Sequence, residues 1–360
     1  MNPSACFSQS YAEARGKFLA ACAAAGLAVE SHDHPLPGRD GEPLALDVAR
    51  DGPEDASRLL IISSGCHGVE GFCGSAVQTA MLRDPHWRAR VHESGCAVLY
   101  LHAVNPYGFS WWRRWTHENV DLNRNFLDFS APLPENPAYA RLDPLLVPRR
   151  WPSRLSRARL LLQVLRHGRR HLQQAVSCGQ SSHPHGLFYV GAEPTWSNGK
   201  VRQVLRQQGR RCRELGWIDV HTGLGPRGHG EKKIYAGRRD EAEVARARNW
   251  WGSDIAVPYQ GSSASVDITG HLAGLIYEAC PDSEPTLMAL EFGTLPWEDV
   301  VLALRGRNWL RAHPEAGPAQ RREILQATLD AFYCGQEDWQ GMVLGQSRVA
   351  VLQALCGLEA

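Results

Sequence analysis

Short apolar runs that alternate with stretches of helical periodicity constrain this chain more than any other feature. Strands are expected at Leu44–Val48, Leu59–Ser63, Ala97–Ala103, Trp217–Val220, Lys233–Tyr235 and Leu287–Phe292. Helices are expected at Ser10–Gly26, Gly74–Arg83, Arg154–Ser177, Lys200–Leu215, Asp240–Trp251, Trp297–His313 and Ala319–Tyr333. Strands separated by helix-length segments pair through crossovers, which produces a largely parallel sheet covered on both faces. The expected fold class is therefore α/β, with a mixed, mostly parallel twisted sheet and helices on both sides. A chain of 360 residues can bury such a core in one domain spanning residues 1–360.

Charge and cysteine usage then narrow the function. The formal net charge is +1, so no global field favours nucleic acid or an anionic membrane, and neither is expected as a partner. The ten cysteines contain no CxxC pair, which favours reduced thiols in a cytoplasm over a disulfide framework. No apolar run of bilayer-spanning length stands out. The stretch Phe18-Leu-Ala-Ala-Cys-Ala-Ala-Ala-Gly-Leu-Ala28 imitates a signal peptide, but Tyr11, Ala14, Phe18 and Leu19 repeat at helical spacing, and Ser8 or Ser10 could cap that helix. An arginine-rich helical insertion at about 147–177 carries Arg149, Arg150, Arg154, Arg157, Arg159, Arg166, Arg169 and Arg170. It reads as a solvated amphipathic helix, or more sharply as a cap that attracts an anionic substrate or partner.

"SSGCHGVEGF", residues 63–72, places His67 and Glu70 three apart directly after a core strand. A turn of helix or a tight loop aims both side chains to one side. Zinc accepts imidazole nitrogen and carboxylate oxygen, and a catalytic site uses three protein ligands. The third candidate is His221 in "WIDVHTGLGP", residues 217–226, at the end of another core strand. Ligands of parallel sheets bind outside the carboxyl ends of strands, where both histidines fall. Asp219 or a nearby carbonyl could hold the far nitrogen of a ligating histidine.

"LMALEFGTLP", residues 287–296, ends a third apolar run with Glu291, and a carboxylate there is costly to bury without a task. A metal hydrolase needs such a base. "NPYGFSWWRRWTHENVDLNRNF", residues 105–126, gathers Arg113, Arg114, Asn123 and Arg124 among tryptophans. Arginine grips carboxylates bidentately and stabilises developing oxyanions. Cys66 and Cys73 flank the metal pair without an identifiable base partner and read as small buried thiols.

Taken in order, HxxE, NP-G, W-R, VD-NRN, D-H and a late-strand Glu resemble the zinc carboxypeptidase superfamily. Within it, "SSGCHGVEGFCGSAVQ" with "DVHTGLGP" is similar to the bacterial branch known as the DUF2817 family, over essentially the whole chain. The resemblance implies a zinc-carboxypeptidase-like fold with one Zn²⁺ on His67, Glu70 and His221. It also implies Glu291 as general base and Asn123 and Arg124 as the grip on a substrate carboxylate. Arg113 matches the arginine that polarises the scissile carbonyl, with Arg114 as the alternative. "YQGSSASVDI", residues 259–268, suggests Tyr259 for the substrate tyrosine and Val266 for an apolar pocket floor. The implied function is hydrolysis of an amide bond beside a free carboxylate, in a small peptide or acylated amino acid, by metal-activated water. The rivals are an N-acyl amino acid deacylase, resembling aspartoacylases and succinylglutamate desuccinylases, and a non-catalytic binding module on the same fold. The chain departs from the pattern in the arginine-rich insertion and in the stretch containing "EACPDSEP" between Val266 and Glu291.

Overall fold

The apolar runs assemble into a seven-stranded sheet in a computed structural model that describes residues 3–234 and 238–360. The strands are β1 (Val29–Asp33), β2 (Ala45–Asp51), β3 (Arg58–Ser64), β4 (Ala97–His102), β5 (Glu214–Arg227), β6 (Gly230–Ile234) and β7 (Glu284–Gly293). Their order across the sheet is β1-β2-β4-β3-β5-β7-β6. The central β4, β3, β5 and β7 run parallel, while β1, β2 and β6 add antiparallel edges. The mixed, mostly parallel sheet expected from the alternation is what forms.

Burial on both sides explains why the central strands read as unbroken apolar runs. Successive residues of a strand face opposite ways, so Leu60 and Ile62 join one core while Leu59 and Ile61 join the other. The first core packs the sheet against the helices Tyr11–Ala24, Gly71–Arg83, Glu241–Trp251 and Glu337–Glu359. The second packs it against Trp196–Gln208 and Ile276–Ala279. Ser10 caps the first helix by accepting from Glu13 N, and Tyr11, Ala14 and Phe18 form its buried stripe as the periodicity requires.

Several boundaries differ from expectation for identifiable reasons. The helix expected over Arg154–Ser177 is two, Arg154–His167 and Arg169–Ser177, divided at Gly168 with φ 83°. The helix expected over Lys200–Leu215 ends at Gln208, because Glu214 and Leu215 pair with Arg58 and Leu59 of β3. Tyr235, expected in a strand, lies outside the described residues. The helix Glu337–Glu359 was not anticipated; its 23 residues are long and apolar enough to cross a membrane by length and composition. Here Trp339, Val343, Val351 and Leu355 pack it into the first core.

The topology determines where a site can form. From β3 the chain crosses to β4 on one side and later to β5 on the other, which makes the carboxyl ends of these strands a switch point. The segments following β3, β4, β5 and β7 converge there.

Candidate metal centre

His67 caps and Glu70 ends a single 3-10 turn, Gly68–Glu70, between β3 and the helix Gly71–Arg83. At three residues per turn, positions i and i+3 eclipse, which explains the HxxE spacing. The turn docks against the loop after β4: Gly68 N donates to Arg114 O (3.1 Å) and Val69 N to Arg113 O (2.8 Å). Gly68 is required for this approach, since a Cβ there would lie 2.0 Å from the carbonyl carbon of Gly108. The docking brings Arg114 to the carboxylate, Nη1 to Glu70 Oε1 at 2.9 Å.

His221 arrives from β5, and its Nδ1 lies 2.9 Å from Glu70 Oε2. His67 Nδ1 lies 2.9 Å from Oε1 of the same carboxylate. Each far nitrogen meets another carboxylate. His221 Nε2 is 2.6 Å from Asp219 Oδ2, and His67 Nε2 is 3.1 Å from Asp121 Oδ1. Asp219 is itself fixed by the Ser63 hydroxyl, which donates to its Oδ1 at 2.6 Å and accepts from Trp217 Nε1–H at 2.7 Å. His67 Nε2 also lies 2.8 Å from Arg114 Nη2. A guanidinium only donates and a carboxylate only accepts, so the two contacts ask for opposite tautomers. The Nε2–H form, donating to Asp121, reproduces the arrangement at His221 and turns both Nδ1 lone pairs toward Glu70.

That arrangement calls for a cation. Burial penalises charge on His221, but Asp219 and Glu70 outweigh it and pull its pKa up to about 10. Burial likewise opposes ionisation of Glu70, and His67 and His221 overcome it, holding the carboxyl well below its usual range. Asp121 is held down in the same way, with Arg114, Arg124 and His67 outweighing burial. His67 Nδ1 is buried and makes no hydrogen bond among the described residues, because its approach to Glu70 lacks the geometry of one. One ligand atom from each of His67, Glu70 and His221 lies within 4.8 Å of the others. Two imidazoles and a carboxylate, each imidazole backed by a carboxylate, fit a divalent metal ion. Cys66, Asp219 and His221 also cluster within that span. That second group fits less well, since Asp219 is committed to Ser63 and His221 and burial pushes the Cys66 thiol up.

The register of β5 and β7 places Glu291 directly beside His221. Its Oε2 accepts from Lys233 Nζ on β6 at 2.8 Å. A cavity beside these groups is lined by His67, Glu70, His221, Glu291, Arg114 and Lys233. Asn123, Arg124, Val266 and His271 complete its walls. Asn123 Oδ1 accepts from Leu272 N (2.9 Å), which turns its amide NH₂ end outward as the donor. Arg124 donates through Nε to Ser177 O (3.0 Å) and stacks over Phe188, as Arg114 does. Burial and the nearby Arg124 lower the pKa of His271 to about 3, so it lines the cavity as a neutral ring.

Two expected residues lie elsewhere. Arg113 does not line the cavity; its guanidinium sits over Tyr107 (5.3 Å) and Trp111 (5.7 Å). Neighbours in a non-helical loop point to opposite sides, and the docking of the 3-10 turn selects Arg114. Tyr259 is also absent from the lining, where Pro258 stands, and its ring lies under Arg239. Asp121 and Lys233 belong to the site without having been assigned roles. Asp121 stood inside the VD-NRN motif, two residues before Asn123; Lys233 gave no signal beyond a charge on an expected strand.

Among solved structures, similarity extends to a carboxypeptidase A from Helicoverpa armigera, at 12% identity and TM-score 0.46, covering 90% of this chain and 74% of that one. Bovine thrombin-activatable fibrinolysis inhibitor gives 13% identity and TM-score 0.44, covering 96% and 97%. A succinylglutamate desuccinylase/aspartoacylase from Rhodobacter sphaeroides gives 12% and 0.39, covering 80% and 65%. No curated protein sequence matches the chain. Residues 7–346 match the family model described as "Protein of unknown function (DUF2817)", and the chain belongs to that family.

Proposed function

We propose that the protein is a zinc-dependent hydrolase that cleaves an amide bond next to a free carboxylate, as a carboxypeptidase does. The observation that carries this reading is the convergence of His67, Glu70 and His221 beside Glu291, in a cavity that also holds Arg114, Asn123 and Arg124. Zinc held by the first three would supply Lewis acidity to a carbonyl oxygen and to a water. Asp121 and Asp219 keep the imidazoles turned so that Nδ1 faces inward. Glu291 takes the proton of the attacking water and delivers it to the leaving nitrogen. Arg114 donates to the oxygen on which charge develops, having been placed there by its bond to Glu70. Asn123 and Arg124 hold the substrate's carboxylate and fix the bond relative to the base. Val266, only 4% exposed, gives the wall an apolar element that disfavours a basic terminal side chain.

The cavity is small, about 80 Å³. Its cationic lining, Arg114, Arg124 and Lys233, suits an acid, and an N-acyl amino acid is the second reading of the substrate. The deciding experiment is zinc analysis followed by parallel assays of C-terminally free peptides and N-acyl amino acids, with wild type and Glu291→Gln. Glu291→Gln should retain zinc and lose on the order of 10² to 10⁴ in turnover. Wild-type turnover in that variant would remove Glu291 as the base. Turnover confined to N-acyl amino acids would reject the peptidase reading.

A further inference from the structure

The arginine-rich insertion plays no part in the chemistry above beyond lending Gln173 and Ser177 to the cavity wall. Residues 144–192 contain eight arginines and no Asp or Glu, in a chain of net charge +1. The helix Arg154–His167 carries much of this charge, and its outer face is not the basic surface that the composition suggests. Leu155, Leu161, Leu162 and Leu165 are 62%, 58%, 41% and 75% exposed. They make up four of the seven exposed large hydrophobic side chains among the described residues.

At 3.6 residues per turn these leucines and Ala158 share an arc of about 120°, which also takes in Arg154 of the first turn. Arg157 borders the arc on one side, and Arg159 and Arg166 border it on the other. The opposite face, Ser156, Leu160 and Val164, is buried or half-buried against the protein. Apolar side chains in the middle with guanidinium groups along both margins are the pattern of a helix lying in a membrane interface. The leucines enter the acyl boundary while the arginines reach phosphates. A protein groove would cover the leucines but would leave no reason for cations along both edges. Two acidic residues face this helix, Glu298 and Asp299 of the neighbouring helix Trp297–Ala312. They line one groove with Arg154, Arg157, Ala158 and Leu161, at one margin of the arc and away from Arg159 and Arg166.

We infer that the helix Arg154–His167 docks the protein onto a membrane surface rich in anionic phospholipid. This departs from the absence of a membrane partner expected from net charge, because the charge is local. It does not rest on the hydrolase reading. The test is co-sedimentation of the full-length chain with vesicles of phosphatidylcholine alone, or with about one-third phosphatidylglycerol. Binding should appear with the mixed vesicles and weaken as salt rises. Arg159→Gln with Arg166→Gln should lower affinity by on the order of 20-fold, since each arginine near an anionic surface contributes about fivefold. Leu161→Gln with Leu165→Gln should lower it by on the order of 100-fold, both positions being exposed enough to leave folding intact. Circular dichroism of each variant checks the fold. No binding, equal binding to both vesicle types, or variants that bind like wild type would overturn the inference. A leucine-dependent dimer in solution, or binding only to another protein, would overturn it as well.

Discussion

Among the described residues, two of the sheet's groups of histidine, carboxylate and arginine centre on a buried carboxylate and differ in their surroundings: one lies beside a cavity. At one edge, Asp47 of β2 sits between Arg15 Nε (2.8 Å) and His102 Nδ1 (3.8 Å), with the Ser31 hydroxyl on its other oxygen (2.6 Å). At the carboxyl ends of the central strands, Glu70 sits between His67, His221 and Arg114. Both centres are as buried as the apolar core. In the first, a single carboxylate meets a cation and hydrogen-bond donors, and His102 turns its other nitrogen to Ser75. In the second, two imidazoles each lean on a separate carboxylate and direct their remaining nitrogens at a third. Buried charge alone therefore does not mark a site. Lone pairs converging at an open cavity do.

The contrast breaks most sharply under substitution of the central carboxylate. If zinc is bound as proposed, Glu70→Ala should reduce it from one per chain toward zero and lower turnover by on the order of 10³ or more, because the proposed zinc would supply the Lewis acidity. Asp47→Asn should leave zinc at one per chain, as measured by metal analysis of both proteins. Equal zinc in the two would dissolve the distinction. The next effect separates adjacent arginines. Arg114→Ala should cost on the order of 10² to 10³ in turnover, the range for removing one oxyanion donor. Arg113→Ala should cost no more than a few-fold, since its guanidinium lies over Tyr107 and Trp111. A larger loss at Arg113 would restore it to the role the family resemblance implied.

That pair of arginines also shows what the sequence can and cannot specify. His67, His221 and Glu291 were legible because each closes an apolar run, and a parallel sheet gathers the carboxyl ends of its strands. Arg113 and Arg114 differ by one step along a loop, and their sides are chosen by backbone contacts to Gly68 and Val69 that no local pattern encodes. Lys233 reaches Glu291 only through the antiparallel register of β6 on β7. In the fold, β1 was missed because its burial is confined mainly to His32, so it lacks an apolar run. The helix Glu337–Glu359 was missed because Gly341, Gly345 and Gly357 interrupt its periodicity and lower its propensity. The leucines of Arg154–His167 misled in the other direction, since helical spacing does not tell an inward stripe from an outward one.

A smaller effect tests the outer support of the proposed metal ligands. Asp121→Asn removes the charge that holds His67 Nε2–H without removing a ligand. Zinc affinity should fall 10- to 100-fold, the usual cost of losing such a partner, while the fold persists. Competition with a chelator of known affinity measures it, and unchanged affinity would assign His67 to Arg114 instead of Asp121.

The smallest effect belongs to the closed cluster and appears in acid. Burial opposes ionisation of Asp47, but the nearby His102, the hydrogen-bonded Arg15 guanidinium and the Ser31 hydroxyl outweigh it and lower its pKa to about 2. The unfolded chain binds the Asp47 proton near the usual value of about 3.9, so the folded chain holds fewer protons between the two values. Stability from this group is therefore complete above pH of about 4, declines as pH falls, and is gone once pH passes below about 2. The shift corresponds to about 2.6 kcal/mol. Asp47→Asn should make the urea-unfolding free energy flatter across that window by this amount. Glu70 and Asp121 titrate in acid as well, so the reading is the difference between variant and wild type rather than either curve alone. Parallel curves would mean that Asp47 gains nothing from its partners and that the closed cluster is held by packing.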